Sequence, residues 1–389
     1  MMTGGNPSQT LCVGIIAGEE SGDVLAAHLM QALNSRAPTR FVGVGGHRME
    51  EQGLKSFFPM SDIAINGGIA IARNLPMLLK RIAQAADGIV AAAPDVLVIV
   101  DSPEFTHRVA RKVRKARPGI PIINYVPPTV WAWRQGRARA MRAYVDRSMA
   151  VLPFEPAEHL RLGGPPCDYI GHPVSEIIQA KMRAPEAPAD PQVLLVLPGS
   201  RRTEIERLMA LFGEVVARIH RPGMRVIIPA VRHLETLIAE KAGLWPVTPE
   251  IVVGEAAKWQ AFSEGTAALA ASGTVTLELA LMGVPQVVGY RIEWLAAALM
   301  RFFRAHSIAM ANLVHGSRIV PEFLHKECTV DNLAAALGPL LSDTKERRRQ
   351  LEGIAEIRKQ MEDEAASPAD HAADIVLETA ELSKSTLRQ

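Results

Sequence analysis

The chain has 389 residues, more than a single hydrophobic core usually organises, so we expect two domains. With 48% hydrophobic and 22% charged residues, the composition is that of a globular protein and excludes a disordered or fibrous chain. A net charge of +2 does not by itself indicate a nucleic-acid partner. The three cysteines lie far apart in the sequence, which argues against a disulfide framework or structural zinc site and favours a reducing cytoplasm.

Short apolar runs alternate with helical patterns in the first half of the chain, which predicts βαβ units and a parallel sheet covered on both faces. The predicted strands are residues 11–17, 40–44, 96–101, 121–126 and 148–152. Residues 183–192 contain three prolines and no apolar periodicity, so we predict a linker there.

The same alternation begins again after this linker. The predicted strands are residues 193–197, 225–229, 250–253, 267–271 and 285–290, and the last predicted helices are 329–342, 344–363 and 369–387. The stretch 267–290 is long enough to cross a bilayer, but Gly273, Gly283 and Pro285 divide it into strand, helix and strand.

The predicted fold class is therefore α/β, with two Rossmann-like parallel-sheet domains facing a cleft and with C-terminal helices. We place the domains at residues 1–182 and 193–365, joined by the linker 183–192. Residues 366–389 are predicted to form a helix that packs across domains or onto a partner subunit.

Ligands of open α/β sheets bind beyond the carboxyl ends of the strands, so the strand-to-helix turns are the candidate sites. The first turn contains Gly18, Glu19, Glu20 and Ser21. Ser21 or Asp23 can simply cap the next helix. The turn's two carboxylates favour instead the recognition of hydroxyl or amide groups.

Two further residues of the first domain are candidates with open alternatives. Asp101 ends the predicted strand 96–101, where it either caps the next helix or accepts a proton from an attacking hydroxyl group. His172 precedes a proline near the domain boundary and is either structural or a second-choice base or diphosphate contact.

The second domain opens with a turn that contains Gly199, Ser200 and Arg201. Backbone N–H groups at a helix N-terminus stabilise anions, and the arginine adds a forked positive charge. A simple helix start is the alternative interpretation of this turn.

A third turn contains Ser272, Gly273 and Thr274, and Glu278 follows one helical turn later. We interpret Glu278 as the acceptor of hydrogen bonds from a ribose diol, while the turn holds a diphosphate. The alternative is a buried carboxylate that is merely paired. Together the two turns predict a nucleotide-diphosphate site in the second domain.

Residues 108–147 contain eleven lysines or arginines and one acid, Asp146, interleaved with aromatic residues. A charge run is usually a solvated face, but this excess indicates an anionic partner, and an anionic lipid surface fits better than nucleic acid.

Residues 67–82 combine apolar side chains with basic flanks, the pattern of a helix in a membrane interface. An amphipathic helix packed on its own core is the alternative. The predicted membrane contacts are Ile69, Ile71, Leu75, Leu78 and Leu79.

The sequence contains no D-x-D motif and no histidine pair with metal-ligand spacing, so we expect no metal and no other cofactor. If the substrate is a sugar nucleotide, helix dipoles and Arg201 then replace a divalent ion at the leaving diphosphate.

Nine motifs, in their order, resemble those of the lipid-A-disaccharide synthase family, which makes the lipid A disaccharide of lipopolysaccharide. The resemblance runs from about residue 11 to about residue 340. The motifs are residues 17–23, 45–49, 101–105, 125–135, 152–155, 170–173, 197–201, 271–274 and 287–291.

The resemblance implies the GT-B fold and an inverting, UDP-sugar-dependent glycosyltransferase. In that reaction 2,3-diacylglucosamine moves from UDP to the 6-hydroxyl of 2,3-diacylglucosamine 1-phosphate, giving the β-1,6 lipid A disaccharide 1-phosphate and UDP. It implies that Asp101 and Arg201 are catalytic. The implied donor site comprises Gly199, Ser200, Arg201, Ser272, Gly273, Thr274, Glu278 and Asn312. The acceptor-side candidates are Gly18, Glu19, Glu20, Ser21, Trp133, Arg134 and His172. The chain departs from the family's pattern at Ala309, Ala311 and Ser317.

The resemblance further implies a cytoplasmic enzyme of a Gram-negative bacterium, bound peripherally to the anionic inner leaflet of the inner membrane through residues 67–82. We expect no nucleic-acid partner and consider a homodimer possible. The alternatives are a sugar-nucleotide epimerase of the same two-lobed fold, a non-enzymatic protein that binds an anionic ligand, and an RNA-binding protein that uses the basic run.

Overall fold

The computed structural model describes residues 10–63, 74–174, 191–291, 307–362 and 367–386. The chain divides into two compact units, the first formed by Met1–Pro173 and Asp363–Gln389 and the second by Val174–Glu362. The division precedes the predicted linker 183–192, most of which lies outside the described residues.

The first unit contains a sheet of six parallel strands. They are β1 (Leu11–Ala17), β2 (Thr39–Val44), β3 (Val96–Val100), β4 (Ile122–Tyr125), β5 (Arg147–Ala150) and β6 (Cys167–Tyr169). Their order across the sheet is β2-β1-β3-β4-β5-β6, so the strand order reverses between β1 and β3. These two strands are buried along their whole length, as their apolar sequences predict.

Helices cover this sheet. They are α1 (Glu20–Arg36), α2 (His47–Glu51), α3 (Leu75–Ala92), α4 (Pro103–Ala116), α5 (Gly136–Met141), α6 (Glu155–Arg161) and the C-terminal α14 (Pro368–Thr386). Of the two predicted placements of the last helix, the structure shows α14 against α1 of the first unit. Its buried side chains belong to the same core as those of β1 and α1.

The second unit contains another sheet of six parallel strands. They are β7 (Val193–Leu197), β8 (Arg225–Ala230), β9 (Glu250–Val253), β10 (Ala267–Ala270), β11 (Gln286–Tyr290) and β12 (Glu322–Leu324). Their order is β12-β11-β10-β7-β8-β9, with the reversal between β7 and β10.

The helices of the second unit follow its strands. They are α7 (Arg202–Ile219), α8 (Glu235–Ala242), α9 (Glu255–Glu264), α10 (Val275–Leu281), α11 (Met310–His315), α12 (Val330–Leu337) and α13 (Lys345–Met361). Residues 267–290 form β10, α10 and β11, as the glycines and the proline predict.

The prediction of two parallel-sheet α/β lobes is confirmed, and the ten predicted strands are present. Two strands, β6 and β12, were not predicted. Each has three residues, lies at the edge of its sheet and is only half-buried, so its sequence lacks the apolar run of a central strand.

Candidate functional site

The strand orders bring the predicted turns together in pairs. In an open parallel sheet, the point where the strand order reverses leaves a crevice at the carboxyl ends of the two neighbouring strands. In the first unit these strands are β1 and β3, which end before Gly18 and Asp101. In the second unit they are β7 and β10, which end before the turns at 198–201 and 271–274. Each sheet therefore has one candidate site, formed by turns that are far apart in the sequence.

In the first unit the two turns touch each other. The Ser102 hydroxyl donates to Glu19 Oε1 at 2.8 Å. A Cβ atom on residue 18 would lie 2.6 Å from Ser102 Cβ, so this close approach requires Gly18. The structure thus brings the predicted Glu19 next to the Asp101 turn.

Asp101 and Ser102 both have left-handed backbones, with φ values of 48° and 43°. Such conformations cost about 1–3 kcal/mol each for residues other than glycine and occur preferentially at functional sites. The Ser102 N–H donates to Asp101 Oδ1 at 2.7 Å, and the Thr106 hydroxyl donates to the Asp101 carbonyl at 2.6 Å. The strained turn holds the carboxyl group at the carboxyl end of β3.

The environment of Asp101 favours its protonated form. Burial raises the pKa of this carboxyl group, and the negative charge of Glu19 raises it further, whereas hydrogen bonds from Ser102 and Ser21 act in the opposite direction. A carboxylate with a raised pKa is a stronger base once it is ionised, which suits a group that accepts a proton.

The remaining residues of the first motif differ in their exposure to solvent. Glu19, Glu20 and Ser21 are exposed, whereas Asp23 is buried. Asp23 accepts hydrogen bonds from the backbone N–H groups of Gly46, Arg48 and Met49 at 2.7, 3.0 and 3.2 Å. Asp23 therefore fixes the start of α2, which explains its place in the first motif without a ligand.

The aromatic segment after β4 presents Trp133 and Arg134 together. The Arg134 guanidinium lies 4.3 Å from the Trp133 ring centroid, and Trp133 is 48% exposed. Arg134 has a left-handed backbone, with φ of 51°, and lies 3.5 Å from Glu104. Both predicted acceptor-side residues are thus accessible on the surface of the first unit.

The buried carboxylate of Glu155 forms hydrogen bonds with this segment and with Leu152. Glu155 Oε1 accepts a hydrogen bond from Trp131 Nε1 at 3.1 Å, and Oε2 accepts one from the Leu152 N–H at 3.2 Å. Burial raises the pKa of Glu155 to about 7, against the effect of these hydrogen bonds. Sequence reasoning placed Glu155 in a motif but assigned it no role.

Acids from elsewhere in the first unit neutralise part of the basic run at 108–147. Glu104 pairs with Arg137 at 2.6 Å, and Arg147 pairs with Asp168 and Glu378, each at 2.6 Å. The excess of positive charge is therefore smaller in the folded unit than in the sequence.

His172 lies beyond β6. Burial lowers its pKa to about 4, so the imidazole is neutral at physiological pH and is a weak base there. This property favours the structural interpretation of His172 over its second-choice role as a base.

In the second unit, the carboxylate of Glu204 fills the turn that was predicted to bind an anion. Glu204 Oε2 accepts hydrogen bonds from the N–H groups of Ser200 and Arg201 at 3.0 and 3.2 Å. Glu204 Oε1 contacts Arg201 Nη1 at 3.1 Å. The expectation that these two N–H groups are open to a ligand is therefore wrong in this structure, because the helix supplies its own N-terminal acceptor.

Arg201 itself is accessible. Its side chain is 75% exposed, and the Glu204 contact involves one of its two terminal nitrogens. A guanidinium group carries five N–H donors, so most of them are available to phosphate oxygens.

The neighbouring turn has an open surface at its glycine. Gly273 has φ of 98°, and, apart from its two chain neighbours, no atom of the described residues lies within 4 Å of the position of a Cβ. Glu278, behind this turn, lies 3.3 and 3.4 Å from the Lys258 Nζ through its two oxygens. Glu278 is thus paired with Lys258, a neighbour of the site that the sequence did not indicate.

Asn312 lies on α11, which packs against α10. Its side-chain NH₂ donates to the Val320 carbonyl at 2.9 Å and to Glu322 at 3.0 Å, while Oδ1 accepts from the N–H groups of Ile319 and Val320 at 3.0 and 2.8 Å. The side chain is fully buried and uses its donors and acceptor internally. These bonds hold residues 307–322 together, and the place of Asn312 among the donor contacts stays a prediction.

The predicted membrane contacts are described in part. Ile69 and Ile71 lie outside the described residues. Leu75 and Leu79 are 42% and 50% exposed, whereas Leu78 packs against the core. Among the described helices, none combines the length and apolarity needed to cross a bilayer.

The described residues contain no group of three or more histidine, cysteine, aspartate or glutamate side chains arranged to hold a metal ion. The candidate sites consist instead of carboxylates, arginine and backbone turns.

Comparison with known proteins gives one consistent family. A family model described as lipid-A-disaccharide synthetase matches residues 13–376. A lipid-A-disaccharide synthase of Nitrobacter hamburgensis is 50% identical over 384 residues, covering 95% of this chain and 96% of that protein.

Two solved structures show the same fold at low sequence identity. A glycosyltransferase of kitacinnamycin has a TM-score of 0.65 at 18% identity, covering 95% of this chain and 99% of that one. A UDP-GlcNAc 2-epimerase of Neisseria meningitidis, solved with UDP-GlcNAc bound, has a TM-score of 0.56 at 12% identity, covering 96% and 100%. These likenesses identify the fold as GT-B.

Proposed function

Since this chain belongs to the lipid-A-disaccharide synthase family, we propose that it transfers 2,3-diacylglucosamine from UDP to the 6-hydroxyl of 2,3-diacylglucosamine 1-phosphate. It is a glycosyltransferase, and the epimerase alternative is not favoured. One observation of the structure supports the proposal most. The four turns that carry family motifs lie in pairs at the two strand-order reversals, where this fold binds ligands.

The second unit is proposed to bind the donor. Arg201 and the turn at Ser272, Gly273 and Thr274 follow the neighbouring strands β7 and β10, so both lie at one crevice. The UDP-GlcNAc bound to the Neisseria meningitidis neighbour is a ligand of the same class. In the proposed complex, Arg201 contacts the diphosphate, and Glu278 exchanges Lys258 for the ribose hydroxyls.

The first unit is proposed to supply the base. As the 6-hydroxyl oxygen of the acceptor attacks C1 of the donor sugar, the bond from C1 to the diphosphate oxygen breaks, and the hydroxyl proton passes to Asp101. Arg201 stabilises the negative charge that develops on the departing UDP. Attack opposite the leaving group inverts the configuration at C1.

The reaction is tested by incubating the protein with the UDP-diacylglucosamine donor and the diacylglucosamine 1-phosphate acceptor. We expect UDP and the disaccharide 1-phosphate in equal amounts, and equal rates with and without EDTA. An epimerase would instead interconvert the donor sugar without any acceptor. Release of UDP with no disaccharide would contradict the proposal.

We also propose that the protein binds peripherally to an anionic membrane surface. Two accessible regions of the first unit support this. The start of α3 exposes Leu75 and Leu79. Elsewhere, Arg139, Arg142 and Arg161 line a cavity of about 610 Å³, and the adjacent Leu160 is 83% exposed. Exposed leucines beside basic groups are typical of surfaces that bind anionic lipid.

Sedimentation with vesicles tests this association. We expect the protein to bind phosphatidylcholine vesicles containing about 30% phosphatidylglycerol at low salt and to be released as the salt concentration rises. The double substitution Leu75→Ser and Leu79→Ser is expected to weaken binding several-fold, whereas Leu244→Ser, at an exposed leucine of the second unit, serves as the control. Equal binding by all three proteins would contradict this surface.

A further inference from the structure

Tyr290 connects the two turns of the donor site. The Tyr290 hydroxyl donates to Glu204 Oε1 at 3.0 Å. Burial raises the pKa of this hydroxyl group, and an interaction with Ser272 acts in the opposite direction. Glu204 in turn binds the backbone and side chain of Arg201. The link therefore runs from the Ser272 turn through Tyr290 and Glu204 to Arg201.

The sequence is adapted to place the Glu204 carboxylate within this link. A Cβ atom on residue 199 would lie 2.3 Å from Glu204 Oε2, and Gly199 has φ of 112°. Only glycine allows both this backbone and this approach. The Glu204 side chain is 12% exposed, so it is enclosed by the groups that it binds.

A carboxylate beside a site for a diphosphate requires an explanation, because like charges repel. Its position explains it. By accepting from Arg201 Nη1 and from the Arg201 N–H, Glu204 fixes the direction of the arginine, and through Tyr290 it fixes the distance to Ser272. Small displacements of binding groups are costly in catalysis, since about 1 Å can reduce the rate by a factor of about 100.

We propose that Tyr290 and Glu204 are positioning residues for the donor, which set the spacing between Arg201 and the Ser272 turn to that of a nucleoside diphosphate. This inference rests on the proposed function for the identity of the donor. Neither residue needs to contact the reacting atoms. The N–H groups of Ser200 and Arg201 stay with Glu204, so the diphosphate is bound by the Arg201 side chain and the turn at 272–274.

The test is Tyr290→Phe, which removes the hydroxyl and keeps the ring. We expect the KM for the UDP-sugar donor and the Kd for UDP, measured by calorimetry, to rise about 5–20-fold, as for the loss of one or two hydrogen bonds to charged groups. The acceptor KM and the melting temperature are expected to stay near their wild-type values, and kcat at saturating donor to fall less than about threefold.

The matched control is Tyr144→Phe in the first unit. Tyr144 is buried, whereas Tyr290 is half-buried, and the Tyr144 hydroxyl bonds to His107 at 3.0 Å and Arg111 at 3.1 Å. Its substitution is expected to leave the donor KM and the Kd for UDP unchanged. Glu204→Gln, which keeps one oxygen for the turn, is expected to raise both values like Tyr290→Phe.

An unchanged Kd for UDP in Tyr290→Phe would overturn the inference. So would parallel increases of the donor and acceptor KM together with a lower melting temperature, since these indicate a purely structural role. UDP calorimetry separates the two proposals. If the wild type makes the disaccharide but Tyr290→Phe binds UDP with an unchanged Kd, the inference is wrong and the proposed function stands. If the variant binds UDP more weakly but the wild type makes no disaccharide, the proposed function is wrong and the inference about UDP binding stands.

Discussion

At the scale of single residues, Asp101 shows how backbone strain and electrostatics act on the same group. Two consecutive left-handed residues place its carboxyl group at the end of β3, and burial with the nearby Glu19 raises its pKa. The strained turn holds a carboxyl group in an environment that disfavours its charge. Such an arrangement is typical of a catalytic base.

Asp101→Asn keeps the shape of this side chain and removes the base. We expect kcat to fall by a factor of about 10²–10⁴, the usual contribution of general base catalysis. The proposed base can accept a proton only when Asp101 is deprotonated, so we expect kcat/KM of the wild type to rise with pH through the raised pKa and then level off. Steady-state rates at several pH values check both points, with thermal unfolding to confirm the fold. Wild-type turnover by Asp101→Asn would contradict the catalytic role.

Glu155 gives a prediction about stability. Its pKa is about 7 in the folded protein, against 4.5 for an unperturbed glutamate side chain, so the folded protein retains the proton to higher pH. The associated stability is fully present below pH 4.5 and is lost as the pH rises through about 7. The difference corresponds to about 3 kcal/mol.

Glu155→Gln removes this titration. We expect the free energy of unfolding of the wild type, relative to the variant, to decrease by about 3 kcal/mol between about pH 4.5 and about pH 8. Urea unfolding of both proteins at several pH values measures this difference in free energy. The buried histidines titrate in both proteins, so their contribution to the difference largely cancels. A difference that is constant with pH would show that Glu155 ionises normally.

At the scale of elements, α11 and β12 depend on one amide side chain. Asn312 joins the helix to the backbone of Ile319 and Val320 and to Glu322. The family resemblance implies a ligand contact for Asn312, and the structure shows that its side chain also binds these neighbouring residues. The geometry of this region thus depends on a satisfied buried polar group.

Asn312→Ala removes the side chain that binds the buried N–H and carbonyl groups of Val320, whereas the Ile319 N–H keeps its bond to the Ser317 carbonyl. We expect a loss of about 2–4 kcal/mol in the free energy of unfolding, with the donor KM of the folded protein unchanged. Chemical denaturation and donor kinetics measure the two quantities. The control, Asn332→Ala, removes a bond to the Glu327 carbonyl at the protein surface and is expected to cost less than about 1 kcal/mol. A selective rise in the donor KM would support the predicted donor contact of Asn312.

The sequence predicted the strands and helices whose own residues carry a recognisable pattern. Central strands such as β1 and β3 are apolar throughout, and their ends located the turns that form both sites. The edge strands β6 and β12 have no such signal, since each has only three residues and is half-buried. The link from Glu204 to Tyr290 joins residues 86 positions apart, so only the fold reveals the pair. Glu204 alone could have been found, because a glutamate three residues after a helix N-cap is a capping pattern.

At the scale of the whole molecule, the C-terminal helix α14 completes the core of the first unit. Its buried side chains include Ala372, Ile375 and Val376. On the surface, Arg36 pairs with Asp370 and Asp374 at 2.6 and 3.0 Å. Apolar burial contributes more than these exposed ion pairs, which are typically worth about 0–1 kcal/mol.

A chain that ends at Glu362 is therefore expected to lose stability in the first unit. Differential scanning calorimetry should show a lower or missing transition for that unit, while the transition of the second unit remains. Arg36→Ala, which removes only the ion pairs, should shift the melting temperature by a few degrees at most. An unchanged thermogram of the shortened chain would show that α14 is dispensable for the core.

The return of the chain to the first unit also sets an order of events during translation. Residues 174–362 emerge from the ribosome between the two segments that build the first unit. At usual elongation rates their synthesis takes roughly 10–40 s. For that time the face of α1 that later packs against α14 has no covering helix, although the second unit can already fold. A nascent chain paused near its end would thus carry a folded second unit and an incomplete first unit, and this is the stage at which chaperones would be needed most.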